Sequence, residues 1–113
     1  MKYFLIQPIV EEFGADGNPI RLGYKMLFEA LITAQHSLDT EQFLMLVRVW
    51  NKFKDLKDND ILEVEDNEHE LLKSKLNSYL KIITERNPLL IKVKVFQDFV
   101  DDVANMKSNG LNS

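Results

Sequence analysis

The first part of the chain has the hydrophobic pattern of a small β-hairpin. Residues 2–10, KYFLIQPIV, are rich in aromatic and β-branched side chains, which predicts a strand. Pro8 lacks an N–H, so this strand should lie at a sheet edge or end there. The GADGNP segment at residues 14–19 predicts a turn, because its DG pair suits positive φ at low cost. The IRL at residues 20–22 then returns as the second strand.

Helical spacing of apolar residues dominates the rest of the chain. Between the second and third predicted helices, ILEVE at residues 61–65 predicts a short strand with Ile61 and Val64 against the core. We therefore predict an α+β fold, mostly α, with a small N-terminal β-hairpin or short sheet packed on about four helices. The predicted helices cover about residues 23–35, 40–53 and 67–84, and then 88 or 92 to 106.

The second helix has the strongest signals. Asp39 is its predicted N-cap, and Gln42 three residues later completes a capping box. Its apolar side chains predict a helix that is largely buried. The predicted stripe consists of Phe43, Leu46, Val47, Trp50 and Phe53, widened by Leu44 and Val49.

The sequence of residues 89–96 is compatible with either a strand or a helix. LIKVKV alternates like a strand, whereas the residues that follow have helical spacing. Pro88 at a first helical position, with Asn87 as its cap, favours the helix.

Acidic residues are concentrated at residues 61–76, ILEVEDNEHELLKSKL, where a strand gives way to a helix. Glu63 and Glu65 alternate with apolar residues, so they share the outer face of the strand. Asp66 is the predicted helix cap, and Glu68 lies in the first turn, where the helix dipole favours negative charge. From residue 58 to residue 70 the chain has seven acidic residues and no Lys or Arg, a field that attracts a basic partner.

The same segment is a poor match to metal sites. A zinc-binding helix needs a second ligand four residues after His69, and Lys73 stands there. An EF-hand loop starting at Asp58 would have Glu63 where glycine is required and His69 where glutamate is required. We therefore predict no metal and no cofactor.

Asp98, Asp101 and Asp102 share one face of the last predicted helix. Such carboxylates can hold Mg²⁺ with help from phosphates, but no phosphate-binding loop accompanies them. A solvated face and a docking surface for Lys or Arg are the other interpretations. His36 lacks an obvious catalytic partner and no nucleophile elbow is present, so we predict that the chain is not an enzyme.

Composition narrows the function further. A chain of 113 residues has the size of one domain, which we assign to residues 1–106, with a flexible tail at 107–113. Cysteine is absent, which excludes disulfides and thiolate zinc sites. The net charge of −4 disfavours nucleic acid as a partner, and the apolar runs are too short for a membrane span.

The layout of the chain resembles small accessory proteins of unknown function encoded by tailed bacteriophages. The resemblance is carried by the DGNPI turn before an apolar helix, the LEVEDNEHELLKSKL segment and the final FQDFVDDV helix. It implies a phage or prophage setting, with the cytoplasm of a bacterial host or the virion as the location.

We therefore expect a small non-enzymatic protein-binding module, such as a phage regulator, an inhibitor of a host protein or an assembly factor. Its partner would be another protein, of host or phage, with a basic surface; a homo-oligomer stays open, and no membrane is expected. The alternative is a nucleic-acid-linked regulator with a helix-turn-helix-like pair at residues 23–53. The candidate partner-binding residues are Glu63, Glu65, Glu68, Asp98, Asp101 and Asp102.

Overall fold

Four α-helices, one 3₁₀ helix and four short strands make up the part of the chain that the computed structural model describes, residues 1–14, 16–34 and 37–108. The predicted α+β class, mostly α, is confirmed. The elements follow one another as β1 Lys2–Leu5, β2 Val10–Phe13, β3 Pro19–Leu22, α1 Tyr24–Thr33, α2 Thr40–Phe53, β4 Ile61–Val64, α3 Asp66–Arg86, the 3₁₀ helix Pro88–Lys92 and α4 Lys94–Ala104.

The strands form two separate antiparallel pairs. β2 and β3 are the arms of a hairpin, and Gly17 in its turn has a positive φ of 84°, which glycine adopts without strain. β1 pairs with β4 instead, with Leu5 opposite Ile61. The predicted continuous strand over residues 2–10 is therefore wrong. The segment around Pro8, which has no N–H to donate to a sheet, separates β1 from β2.

β4 turns its second and fourth residues toward the core. Leu62 and Val64 are both 0% exposed, whereas Ile61 is 37% exposed. Alternate residues of a strand point to opposite faces, so Ile61 shares the outer face with Glu63. The predicted burial of Val64 is confirmed, and that of Ile61 is wrong because the two residues cannot face the same side.

Aromatic rings connect the elements at the centre of the core. Phe4 of β1 stacks on Tyr24 of α1 with 5.5 Å between the ring centroids, and it meets Phe99 of α4 edge to face at 6.0 Å. Phe28 of α1 lies 4.5 Å from Phe53 at the end of α2. All five rings are buried, and each such pair adds about 0.5–1.5 kcal/mol beyond the burial of its surface.

The start of α2 is as predicted. The Asp39 carboxylate accepts a hydrogen bond from the Gln42 amide at 2.8 Å. The Gln42 side-chain oxygen accepts one from the Asp39 amide at 3.1 Å. This reciprocal capping box satisfies two backbone donors and fixes where the helix begins.

The face of α2 that packs into the core differs from the predicted stripe. Because successive residues of a helix turn by about 100°, Phe43 and Val47 lie on the side away from the core, where they are 56% and 37% exposed. Trp50 lies at the boundary and is half-buried beside Phe53. Apolar residues surround most of this helix, so their spacing alone does not select a face. The buried residues are Leu46, Val49 and Phe53, and the predicted burial of Phe43, Leu44 and Val47 is wrong.

The stretch at residues 89–96 is mostly helical, as favoured from sequence, but it is interrupted by the extended Val93, and α4 ends at Ala104 and not at residue 106. Pro88 occupies the first turn of the 3₁₀ helix, and α4 follows after Val93. Beyond α4, the backbone of Lys107 exchanges two hydrogen bonds with Tyr3, at 2.8 and 3.3 Å, along the free edge of β1. The rest of the predicted tail, from residue 109 onward, lies outside the described residues.

A single carboxylate holds the hairpin against α4. The N-cap residue of α4 is Val93, whose side chain cannot accept a hydrogen bond. Glu12 of β2 supplies the missing acceptors. Its two oxygens accept from the backbone N–H groups of Lys94 at 3.1 Å and Val95 at 2.8 Å. The carboxylate also lies at the positive end of the helix dipole.

The base of the hairpin is fixed by a close backbone approach at Gly23. A Cβ at this position would lie 2.8 Å from Ile9 Cγ1 and 3.1 Å from Ile9 Cα. A side chain here would push Ile9 away, so glycine keeps the hairpin close to the start of α1.

Replacing Glu12 with alanine should destabilise the protein by about 1–2 kcal/mol, because two N–H groups of α4 lose their acceptor. The exposed neighbour Glu11 provides the control, and Glu11→Ala should change the free energy of unfolding by less than about 0.5 kcal/mol. Urea denaturation measures both. Equal losses for the two variants would show that Glu12 does not act as the cap.

Candidate functional site

The predicted partner-binding acids do not form one surface. Glu63 and Glu65 line a cleft beside β4, together with Lys52. Asp98 and Asp102 line a different cleft, between the hairpin and α4. The two groups of carboxylates therefore belong to separate sites on the molecule.

We call the second of these the hairpin–α4 cleft. Its volume is about 610 Å³, within the range of about 300–1,000 Å³ that is usual for ligand sites. One wall is formed by the β1–β2 connection and β2, and the other by the first turns of α4. Because Glu12 binds the N-terminal end of α4, it also fixes the distance between the two walls at that point. The lining residues are Gln7, Pro8, Val10, Glu12, Tyr24, Lys94, Val95, Asp98 and Asp102.

The two aspartates of the cleft have different partners. Asp102 accepts a hydrogen bond from the Tyr24 hydroxyl at 2.6 Å. Burial, then the hydrogen bond to Asp102, raises the pKa of Tyr24 far above its ordinary value, so the phenol stays protonated and keeps donating. Asp98 accepts from the Lys94 ammonium group at 3.0 Å. Each carboxylate offers about four lone-pair sites, so both retain acceptor capacity for an incoming donor.

Asp101 has a local role. Its carboxylate accepts from the Asn105 side chain at 3.0 Å, one turn further along α4. It is exposed but is absent from the lining of the hairpin–α4 cleft. The predicted aspartate face therefore contributes two of its three members to this cleft.

Exposed apolar side chains of the hairpin lie next to the acidic wall. Val10 lines the cleft and is 41% exposed, and Ile9 beside it is 47% exposed. Phe13, at the far end of β2, is 76% exposed. Large exposed apolar groups beside charged ones are typical of protein-binding surfaces. The predicted strand over residues 2–10 ran through Ile9 and Val10, and Phe13 lay outside every predicted element, so the sequence did not bring these residues together.

At the start of α3, the cap differs from the prediction by one residue. Glu65 is the N-cap, and Asp66 is the first residue of the helix. The Glu68 carboxylate reaches back to accept from the Glu65 amide at 2.8 Å. The predicted role of Asp66 as the cap is therefore wrong, and Glu68 supplies half of a capping box.

Glu68 is buried and is not a surface residue. Its side chain is 1% exposed, and its oxygens lie 3.0 Å from the Lys52 ammonium and 3.5 Å from Arg48 Nε, both on α2. Burial alone would raise the pKa of Glu68, but the hydrogen bonds from Glu65 and Lys52, with the basic charges, outweigh it. The pKa is therefore below its usual value. Glu68 joins α3 to α2 and is not available to a partner.

His69 also has a structural role. It is 5% exposed, and its Nε2 lies 2.8 Å from the backbone carbonyl oxygen of Val103. Lys73, which takes the position of a second zinc ligand, pairs with Glu70 at 2.8 Å. Within residues 1–14, 16–34 and 37–108, no group of three or more His, Asp or Glu side chains is arranged to hold a metal ion. His36 lies outside the described residues.

Lys75 is a third buried polar residue of α3. It is 2% exposed and donates to the backbone oxygen of Ala34, just after the end of α1, at 2.9 Å. Burial lowers the pKa of its ammonium group. The last carbonyls of a helix favour a positive charge, which compensates part of this desolvation.

The sequence did contain a signal for these three residues. Glu68, Leu72, Lys75 and Tyr79 follow the i, i+4, i+7 spacing of one helical face, and His69 lies on the same side of α3. This spacing would have placed Glu68 and Lys75 on the core side of the helix.

Comparisons with protein-family models, with curated proteins and with solved structures found no match to the chain. Among the described residues, no helix combines the length and the apolar character needed to cross a lipid bilayer. Function is therefore inferred from the geometry of the clefts and the exposed surfaces.

Replacing Glu68 with glutamine should lower the free energy of unfolding by about 2–3 kcal/mol at pH 7, because two basic groups lose a buried counter-charge. The folded-state pKa is depressed below the ordinary 4.5, so the charge stabilises the fold above pH 4.5 and ceases to do so as the pH falls through the folded-state value. The deficit of Glu68→Gln relative to wild type should therefore shrink in acid.

Chemical denaturation of both proteins between pH 3 and pH 7 measures this effect. Glu85→Gln, at an exposed position near the end of α3, is the matched control and should follow the wild-type curve. A deficit for Glu68→Gln that stays constant with pH would contradict a charge-based role.

Proposed function

We propose that the chain is a small non-enzymatic protein-binding domain whose hairpin–α4 cleft receives a basic segment of another protein. The observation that carries the proposal is the composition of this cleft. Asp98 and Asp102 line one side of it together with Lys94, and on the hairpin side Pro8 and Val10 add apolar surface beside Gln7 and Glu12.

A lysine or arginine side chain of the partner fits such a surface in two ways. Its aliphatic stem can lie along the apolar wall while its charged end reaches an aspartate. Phe13 and Ile9 on the hairpin provide exposed apolar area beyond the cleft, where binding affinity is normally concentrated. The net charge of −4 favours a basic partner at longer range and increases the association rate.

The resemblance to phage accessory proteins suggests the biological setting of this binding. In that setting the domain acts as a regulator, an inhibitor of a host protein or an assembly factor, in the host cytoplasm or in the virion. Glu63 and Glu65, on the cleft beside β4, then contribute to the general attraction of a basic surface and not to the contact itself.

The helix-turn-helix alternative gains no support from the basic residues of α2. Arg48 and Lys52 lie against the buried carboxylate of Glu68, so their charges are partly neutralised. Lys54 is exposed, but one lysine provides little of the phosphate binding on which DNA affinity depends.

The test compares two variants that remove the same charge from different places. Asp98→Asn/Asp102→Asn neutralises the cleft, while the new amide oxygen at position 102 can still accept from Tyr24. Glu29→Gln/Glu85→Gln removes two charges from exposed positions on α1 and α3. Each immobilised protein captures partners from a bacterial lysate, and each bound protein is then titrated against its purified partner. We expect the cleft variant to bind about tenfold more weakly, equivalent to about 1.4 kcal/mol.

The control variant should bind like wild type at about 0.1 M salt, where exposed charges more than about 10 Å apart are screened. Equal affinities for all three proteins would show that the hairpin–α4 cleft is not the binding site. Recovery of DNA or RNA in place of a protein would favour the helix-turn-helix alternative.

A further inference from the structure

The exposed side of α2 carries a continuous apolar surface, which we call the α2 stripe: Phe43, Leu44 and Val47. Their side chains are 56%, 52% and 37% exposed. Few folded domains leave three large apolar residues of one helix in water without a use for them. The stripe shares no residue with the hairpin–α4 cleft.

A shallow apolar groove lies beside the α2 stripe. It has a volume of about 250 Å³, and it is formed by the end of α1 and the middle of α2. Its walls include Ile32, Leu46 and Trp50, with Val47 at its edge. An aromatic ring is the size of side chain that such a groove accommodates.

The stripe and the groove are related by the geometry of the helix itself. Phe43 and Trp50 lie seven residues apart, about two helical turns or 10.5 Å, and therefore on nearly the same side of α2. Val47 lies between them. Consider a second α2 that packs antiparallel against the first, with the two Val47 residues in contact. A residue before Val47 in one copy then lies opposite a residue at the same distance after Val47 in the other. Phe43 of one copy therefore lies near Trp50 of the other.

The charges of α2 favour the same antiparallel arrangement. Asp39 is at its N-terminal end, and Lys54 is exposed immediately after its C-terminal end. Asp55, which is also exposed, lies about 100° further round the helix, away from Asp39 of the other copy. Antiparallel pairing about Val47 places Lys54 of each copy opposite the acidic start of the other. The two helix dipoles also oppose each other in this arrangement, whereas a parallel pair would bring like charges together.

We propose that a second copy of this chain covers the α2 stripe, forming a two-fold dimer in which antiparallel α2 helices cross at Val47. Phe43 of each copy enters the groove of Ile32, Leu46 and Trp50 on the other. The interface is isologous, so each favourable contact occurs twice. The dimer is independent of the proposed partner binding, and pure protein is sufficient to test it.

The absence of cysteine from the chain permits a direct test of the contact at the two-fold axis. Val47→Cys places two thiols across the axis, where Cα atoms can approach within the roughly 4.4–6.8 Å that a disulfide requires. In a glutathione redox buffer this variant should become a covalent dimer at low micromolar concentration. Phe13→Cys is the control. Phe13 is more exposed, at 76%, but lies on the hairpin, so that variant should remain monomeric.

Sedimentation velocity on the unmodified chain should show a species of twice 13.2 kDa whose fraction grows with concentration. Val47→Glu places two like charges at the axis and should return the protein to 13.2 kDa at every concentration. Circular dichroism verifies that the variant is folded.

Exchanging charges tests the orientation of the helices. Lys54→Glu places a carboxylate opposite Asp39 of the other copy and should weaken dimerisation by about fivefold, whereas Glu41→Lys, at a position that points about 120° away from Val47, should leave it unchanged. Asp39 is left unchanged because it caps α2. A wild-type chain that stays monomeric at several hundred micromolar would overturn the proposal. Equal disulfide yields for Val47→Cys and Phe13→Cys would also overturn it. Either result would indicate that the α2 stripe does not bind a second copy of this chain.

Discussion

The contact between Glu12 and the first turn of α4 joins the hairpin to the helix and shapes the main cleft. The hairpin is a two-stranded ribbon, and such a ribbon is marginal in water unless it packs against something. It is held by Glu12, which binds the amides of Lys94 and Val95, and by the close approach of Ile9 to Gly23. Ile20 and Leu22 of the hairpin also pack against the core. Because the N-terminal end of α4 depends on Glu12 for its cap, the helix and the hairpin stabilise each other.

The polar residues in the interior of α3 perform a comparable function. Glu68 connects α3 to α2, Lys75 connects it to the end of α1, and His69 connects it to α4. Burying each group costs free energy, and each recovers part of it through a partner that exists only in the native arrangement. An apolar core tolerates many packings, whereas these three directional bonds are compatible with one placement of α3 against its neighbours.

The parts of the fold that the sequence predicted well are those specified by local chemistry. The capping box of Asp39 and Gln42 and the positive φ of Gly17 depend on residues adjacent in the chain. The pairing of segments that are distant in the chain could not be predicted in this way. β1 pairs with β4, which lies almost sixty residues later, and nothing in the sequence of β1 distinguishes that partner from the nearer β3.

The candidate site shows the same limit. Asp98 and Asp102 were predicted as a shared face because helical spacing is local. Pro8, Val10 and Tyr24, which complete the cleft, come from distant parts of the chain and became visible only in the folded protein. For α2, the failure had a different cause. Its apolar residues surround most of the helix, so an exposed apolar face looks in sequence like one that packs in the core.

The separation of the two proposed surfaces has a consequence for affinity. A dimer formed through the α2 stripe leaves the hairpin–α4 cleft of each copy open, because the two surfaces share no residue. Each cleft is wide and shallow, and ion pairs at exposed positions contribute only about 0–1 kcal/mol each. Two clefts on one dimer make the second binding event intramolecular, which can raise the apparent affinity by about 10²–10⁴ without a new contact. Taken together, the two proposals favour a partner that presents its basic segment in two copies, as a symmetric oligomer or a repeating assembly does.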